Sequence, residues 1–93
     1  MRIKFDKKRS EQLRNDSRRK IGFEEAQELF DTVFIEDQHI DYPHHQWRAT
    51  GWVQGELYTL VSEERNDRDG EYYHLVTLWK ATRIERLNYE EKT

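Results

Sequence analysis

The tract Asn66-Asp67-Arg68-Asp69-Gly70 constrains this chain more than any other part of its 93 residues. Asp-Gly tolerates the positive φ angles of a tight reversal, so the apolar run 57–62 and the alternating run 72–79 are expected to fold back on each other as antiparallel strands. A second turn at Gln54-Gly55 joins 57–62 to another strand over 47–53. Three strands joined by tight turns predict a meander. Upstream, Val33, Phe34 and Ile35 shift toward extended structure, and 41–45 reads as a loop around the lone Pro43.

The remaining segments predict helices and one edge strand. Thr82, with Glu85 three residues later, is a capping box that starts a terminal helix at Thr82 and directs Ile84 and Leu87 toward the core. Gly22-Phe23-Glu24-Glu25-Ala26 opens another helix, with Phe23, Ala26, Leu29 and Phe30 on helical spacing and Glu24 and Glu25 favourably placed in the first turn. Residues 7–20 hold good helix formers but only Leu13 as a strong apolar anchor, which predicts a lightly packed helix. Residues 2–5 alternate as a short edge strand with Ile3 and Phe5 on one face. The order is strand, two helices, antiparallel meander, helix: an α+β chain, with no repeat or linker to divide 1–93 into more than one domain.

Charge is distributed unevenly. Residues 1–20 carry nine Lys or Arg against three acids, and 21–93 carry seven against 16, so a basic arm precedes an acidic body. Arg18, Arg19 and Lys20, with Lys7, Lys8, Arg9 and Arg14, are candidates to attract a phosphate chain, although a solvated helix would carry the same residues. The acidic body is equally suited to a basic partner. The absence of cysteine excludes disulfides and thiol chemistry and fits a reducing, cytoplasmic setting. No signal-like segment or run of about 20 apolar residues predicts a membrane association. A core of this size favours a stabilising partner or self-association.

The junction from strand to terminal helix is the strongest candidate site. Lys80 leaves the strand, Arg83 and Arg86 are three apart on the helix, and Tyr89 is three beyond, so one cationic track ending in a phenol is expected. Each has a plain alternative: Arg83 and Arg86 paired to nearby acids such as Glu90, Tyr89 packed at the edge of the core, Lys80 merely ending its strand. Arg65 either binds phosphate or balances Glu63 and Glu64, and Arg48 either joins the patch or makes a cross-strand pair. Trp47, Trp52 and Tyr58 suit base stacking, or the packed face of the sheet or a partner interface. His39, His44 and His45 beside Asp37 and Asp41 match no compact zinc spacing, so no metal site is expected. No glycine-rich phosphate loop or nucleophilic serine arrangement is present, and no cofactor is expected.

Three segments resemble a known family. Gly22-Phe23-Glu24-Glu25-Ala26 with Phe30-Asp31, then Val61-Ser62-Glu63-Glu64-Arg65, and then 76–90, above all Ala81-Thr82, Glu85-Arg86 and Tyr89, are similar in order and spacing to BrnT-type toxins of bacterial type II toxin-antitoxin pairs. The resemblance implies a compact RelE-like fold, a cytosolic endoribonuclease that inhibits translation, and neutralisation by a cognate BrnA-like DNA-binding antitoxin, with a homodimer or a dimeric toxin-antitoxin assembly as a further expectation. The alternative is a catalytically weak or inert relative that keeps the fold and binds the antitoxin without cleaving RNA. The chain departs from the family at Arg18-Arg19-Lys20, where a Lys-His-Gly turn is usual, and at Trp79, which replaces the first of two arginines while Lys80 matches the second. Members also tend to be basic, whereas this chain has a net charge of -3.

For such an enzyme the RNA 2′-hydroxyl attacks its adjacent phosphate, and the protein must align it, stabilise phosphoryl charge and assist proton transfer. Arg65 and Lys80 are the expected phosphate clamps, Arg83 and Arg86 extend the track, and Tyr89 orients the phosphate or donates a proton. Glu64 is a weaker candidate for the base, because strand alternation points it away from Arg65.

Overall fold

The computed structural model describes residues 2–39 and 45–93; Asp41, Pro43 and His44, assigned above to a loop, lie outside them. Five strands form one mixed sheet: β1 (Ile3–Lys4), β2 (Ile35–His39), β3 (Gln46–Val53), β4 (Glu56–Asp67) and β5 (Gly70–Lys80), in the order β1-β5-β4-β3-β2. Strands β3 to β5 are the predicted meander, β2 extends it by a fourth strand that begins at the end of the stretch expected to turn extended, each is antiparallel to the next, and β1 lies parallel to β5 at one edge. Helices α1 (Lys7–Arg14) and α2 (Phe23–Ala26), the latter continued by a 3-10 helix over Gln27–Asp31, precede the meander, and α3 (Arg83–Lys92) follows it. The fold is α+β.

Both hairpin turns fall where expected, by different means. Gln54 and Gly55 have φ 49° and 79°, the two positive angles of a two-residue turn that follows the twist of its strands. In the other reversal Asp67 pairs with Gly70, and Gly70, at φ 110°, takes the positive angle there. A register irregularity between Val61 and Ser62 also lets β5 accommodate an extra residue, since Val61 faces Thr77 and Ser62 faces Leu75.

One face of the sheet carries the main core. Ala49, Leu60 and Leu78 are in register across three strands and pack with Leu13 of α1, Phe23 and Ala26 of α2, and Leu29. The α1–α2 corner is held by polar groups: the buried Ser10 hydroxyl accepts from Phe23 N at 2.8 Å and donates to Glu24, while Arg14 pairs with Glu11, Glu24 and Glu25. Gly22 leaves no room for a Cβ, which would meet the Ser10 backbone oxygen at 2.9 Å.

The opposite face is partly covered by α3, and here two expectations change. The capping box forms as predicted, but Ile84 and Leu87 do not turn inward; they are 79% and 54% exposed. Glu85 and Tyr89, one helical turn apart, take the inward face instead, because Glu85 is hydrogen-bonded to the sheet and Tyr89 packs edge-on to Trp52 with ring centroids 6.2 Å apart. The helix predicted over 7–20 also stops at Arg14. The Asp16 carboxylate accepts from the backbone N–H groups of Arg18 and Arg19 at 2.8 and 3.2 Å, a local turn that competes with helix propagation.

Candidate nucleic-acid interface

The turn after α1 is fastened to the ends of β4 and β5. Tyr58 Oη donates to Arg19 O at 2.6 Å, Arg19 Nε donates to Leu78 O at 2.7 Å, and Arg19 Nη1 pairs with Asp16 at 3.2 Å. Lys20 closes the turn with φ 66°. The result is an open cleft of about 610 Å³ lined by Ser17, Arg18, Arg19, Trp79, Lys80 and Thr82. Segments some 60 residues apart in sequence, the 15–20 turn and the β5–α3 junction, thus share one wall.

Glu56 gathers the charges at the margin of this cleft. Its carboxylate pairs with Lys80 Nζ at 2.8 Å, and that contact, followed by the fields of Lys20 and Arg86, holds its pKa below the usual carboxylate range. The same pair raises the Lys80 pKa, so both groups are charged at neutral pH. Arg18, Lys20, Arg83 and Arg86 are exposed and make no side-chain hydrogen bond or ion pair with the described residues. Free cations on a surface where one carboxylate already holds a lysine form a site for an extended anion. Glu56 was missed in the sequence because its partner is fixed by register: Tyr58 lies opposite Lys80, and Glu56 reaches it from the hairpin end.

Trp79 joins the cleft to the other sheet face. Its indole N–H donates to Glu85 Oε1 at 3.0 Å, and the guanidinium of Arg48 lies 5.4 Å from its ring centroid. Arg48 Nε is buried without a hydrogen-bond partner among the described residues, a cost partly offset by the cation–π contact. Arg48 also lines a groove of about 460 Å³ between the sheet and the exposed side of α3, together with Asp37, Ile84 and Leu87. Arg48 reaches across β4 to stack on Trp79, itself a cleft residue, and makes no cross-strand ion pair among the described residues.

Two expected site residues stand apart. Arg65 pairs with Glu63 at 2.8 Å, the balancing role weighed above. It is seven residues along β4 from Tyr58, roughly 23 Å at ~3.3 Å per residue, so it does not share the cleft with Lys80. Tyr89 is 6% exposed, and its hydroxyl donates to Val33 O at 2.8 Å, which anchors α3 rather than facing the cleft. Glu64 lies on the other face from Arg65 and accepts from Trp47 Nε1 at 2.8 Å. Among the described residues no group of three or more His, Asp or Glu is placed to hold a metal ion, and no helix is long and apolar enough to cross a membrane. In comparisons with known proteins, no protein-family model matches the chain and no curated protein matches it significantly.

Proposed function

We propose that this chain is an RNA-directed toxin of the BrnT type with a RelE-like fold, acting in the cytoplasm and neutralised by a DNA-binding antitoxin. The observation that carries the reading is that Arg18, Arg19 and Lys80 line one cleft, with Lys20 and Arg86 near enough to act on Glu56 beside Lys80, in a chain whose net charge is negative. Trp79 supplies an aromatic surface beside these cations, the combination that single-stranded nucleic acid needs for backbone attraction and base stacking. Lys20 adds support from the backbone: its φ of 66° is one that glycine adopts without strain, and the family's turn ends in glycine at the corresponding place.

In this reading a phosphodiester displaces Glu56 from Lys80 and lies between Lys80 and the free guanidinium groups of Arg83 and Arg86. The RNA 2′-oxygen attacks the phosphorus, the bond to the 5′-oxygen breaks, and the products are a 2′,3′-cyclic phosphate and a 5′-hydroxyl end. The proton lost by the 2′-hydroxyl passes to solvent and the 5′-oxygen regains one. The cations stabilise charge on the phosphoryl oxygens, so catalysis here is mainly electrostatic positioning. An antitoxin would silence the site by laying an acidic segment over the cleft, within a dimeric assembly.

A binding module without cleavage is the second reading, and a specific observation favours it: the Tyr89 hydroxyl is bonded to Val33 O away from the cleft and the Glu56 carboxylate at the cleft margin is paired with Lys80, so neither is free for proton transfer. Induced expression of the wild type beside an Arg18→Ala/Lys80→Ala/Arg86→Ala variant separates the two. Growth arrest with new cyclic-phosphate RNA ends, absent from the folded variant, supports the toxin. A folded wild type that arrests no growth and leaves RNA intact but binds a BrnA-like antitoxin supports the module, and one that neither cleaves RNA nor binds such an antitoxin refutes both.

A further inference from the structure

The main core face also contains a pocket that the RNA reading does not use. It has a volume of about 290 Å³ and is walled by Phe30, Phe34, Trp47, Tyr73 and Leu75, with Glu36 at its rim. Phe30 and Phe34 meet edge-on at 5.4 Å, which sets their rings at different angles to the space. Glu36 makes no hydrogen bond or ion pair with any described residue, although its carboxyl is desolvated enough to raise its pKa. Glu64 accepts from the indole of Trp47 at 2.8 Å, and Glu71 is two residues before Tyr73 on the same face of β5, so two further carboxylates lie beside residues that wall the pocket. Of the opposing groups, His45 is 3.9 Å from Glu64 and largely exposed, and Arg65 lines a neighbouring pocket together with Glu64.

Aromatic faces attract cations through the ring quadrupole, and an unpaired carboxylate at the rim selects for positive charge again. The apolar wall favours a methylene chain over a hydrated metal ion, and the volume is at the lower end of small-ligand sites. We infer that this pocket binds an aliphatic polyamine, with one ammonium group held between the aromatic rings and Glu36 and the others lying toward Glu64 and Glu71. Glu36, Glu64 and Glu71 stand on three different strands, β2, β4 and β5, which favours several charges on one chain over a single ammonium.

The test follows the Trp47 indole N–H resonance of the 15N-labelled protein during titration with spermidine, n-butylammonium and the neutral isostere n-butanol. Spermidine is expected to give a saturable shift at Trp47 that leaves the Trp79 indole unmoved, with n-butylammonium weaker and n-butanol weaker again. Glu36→Gln, checked for an unchanged circular dichroism spectrum, is expected to weaken spermidine about tenfold. Should Glu36→Gln disturb folding, Glu71→Gln at the exposed rim is expected to reduce the spermidine affinity while leaving n-butylammonium unchanged. Equal binding of n-butanol and n-butylammonium, no saturable shift at Trp47, or tighter binding of N-acetyl-lysine methylamide than of spermidine would each overturn the assignment, the last by moving it to a protein lysine.

Discussion

Replacing Glu85 by alanine removes the group on which the junction of β5 and α3 is built. Its Oε1 accepts from Thr82 N at 2.9 Å, Thr59 Oγ1 at 3.0 Å and Trp79 Nε1 at 3.0 Å, while Thr82 Oγ1 accepts from Glu85 N at 3.2 Å. Loss of the capping interaction costs about 1 kcal/mol. The Trp79 indole, part-buried beneath Arg48, then has no acceptor, which adds roughly 1–2 kcal/mol; Thr59 keeps its bond to Thr50 and adds less. The expected loss is roughly 2–3 kcal/mol, or a fall in Tm of roughly 8–24 °C for a domain of this size. Glu85→Gln keeps an oxygen at the same place and loses only the charge, so about 1 kcal/mol is expected. Urea unfolding followed by circular dichroism measures both, with an unchanged m-value confirming that the native state is the one altered. If Glu85→Ala falls within about 0.5 kcal/mol of wild type, or if Gln and Ala are equally destabilising, the junction is not held by this carboxylate.

Glu56→Gln releases Lys80 and removes the anion at the cleft margin, so RNA binding at low salt is expected to tighten about two- to fivefold; unchanged or weaker binding in a fluorescence anisotropy titration would contradict the competition between Glu56 and phosphate. His74 is held below its ordinary pKa of 6.5 first by burial and then by Arg65, against the pull of Glu63 and Asp6. The neutral ring is therefore favoured in the folded state, and stability present above about pH 6.5 declines as pH falls toward the folded-state pKa. His74→Gln should flatten that part of a stability–pH curve, and an identical slope in both proteins would rule His74 out as its source. Gly22→Ala forces a Cβ against Ser10 and Arg14, with an expected cost of about 1–3 kcal/mol; a thermal melt matching wild type would show that the corner yields freely.

The meander was legible because its signals are local: Gln54-Gly55 and Asp69-Gly70 mark the turns, and alternation between them fixes which side chains share a face. The start of α3 was legible for the same reason, since Thr82 and Glu85 form their box within one turn. Its rotation was not. Ile84 and Leu87 are the more apolar residues, yet the bonds of Glu85 to Thr59 and Trp79, and of Tyr89 to Val33, select the other face, and those partners are distant in sequence. The cations of the candidate cleft could be named from the sequence, but not which of them were already committed. Arg19 is bonded to Leu78 O and Asp16, and Arg65 to Glu63, whereas Arg18, Arg83 and Arg86 remain available.

The parallel strand β1 covers only Tyr73 and His74 of the eleven-residue β5. Beyond His74 the outer edge of β5 has no strand partner among the described residues, the kind of open ladder on which another chain can build. Arg19 occupies one of its acceptors at Leu78 O, and Arg9 reaches across to Thr77 Oγ1 at 3.1 Å, so bulky, charged side chains stand where an intruding strand would have to lie. The basic arm thereby protects the sheet against edge-to-edge aggregation, and neutralising Arg9 and Arg19 together would make the protein self-associate before it made it unfold.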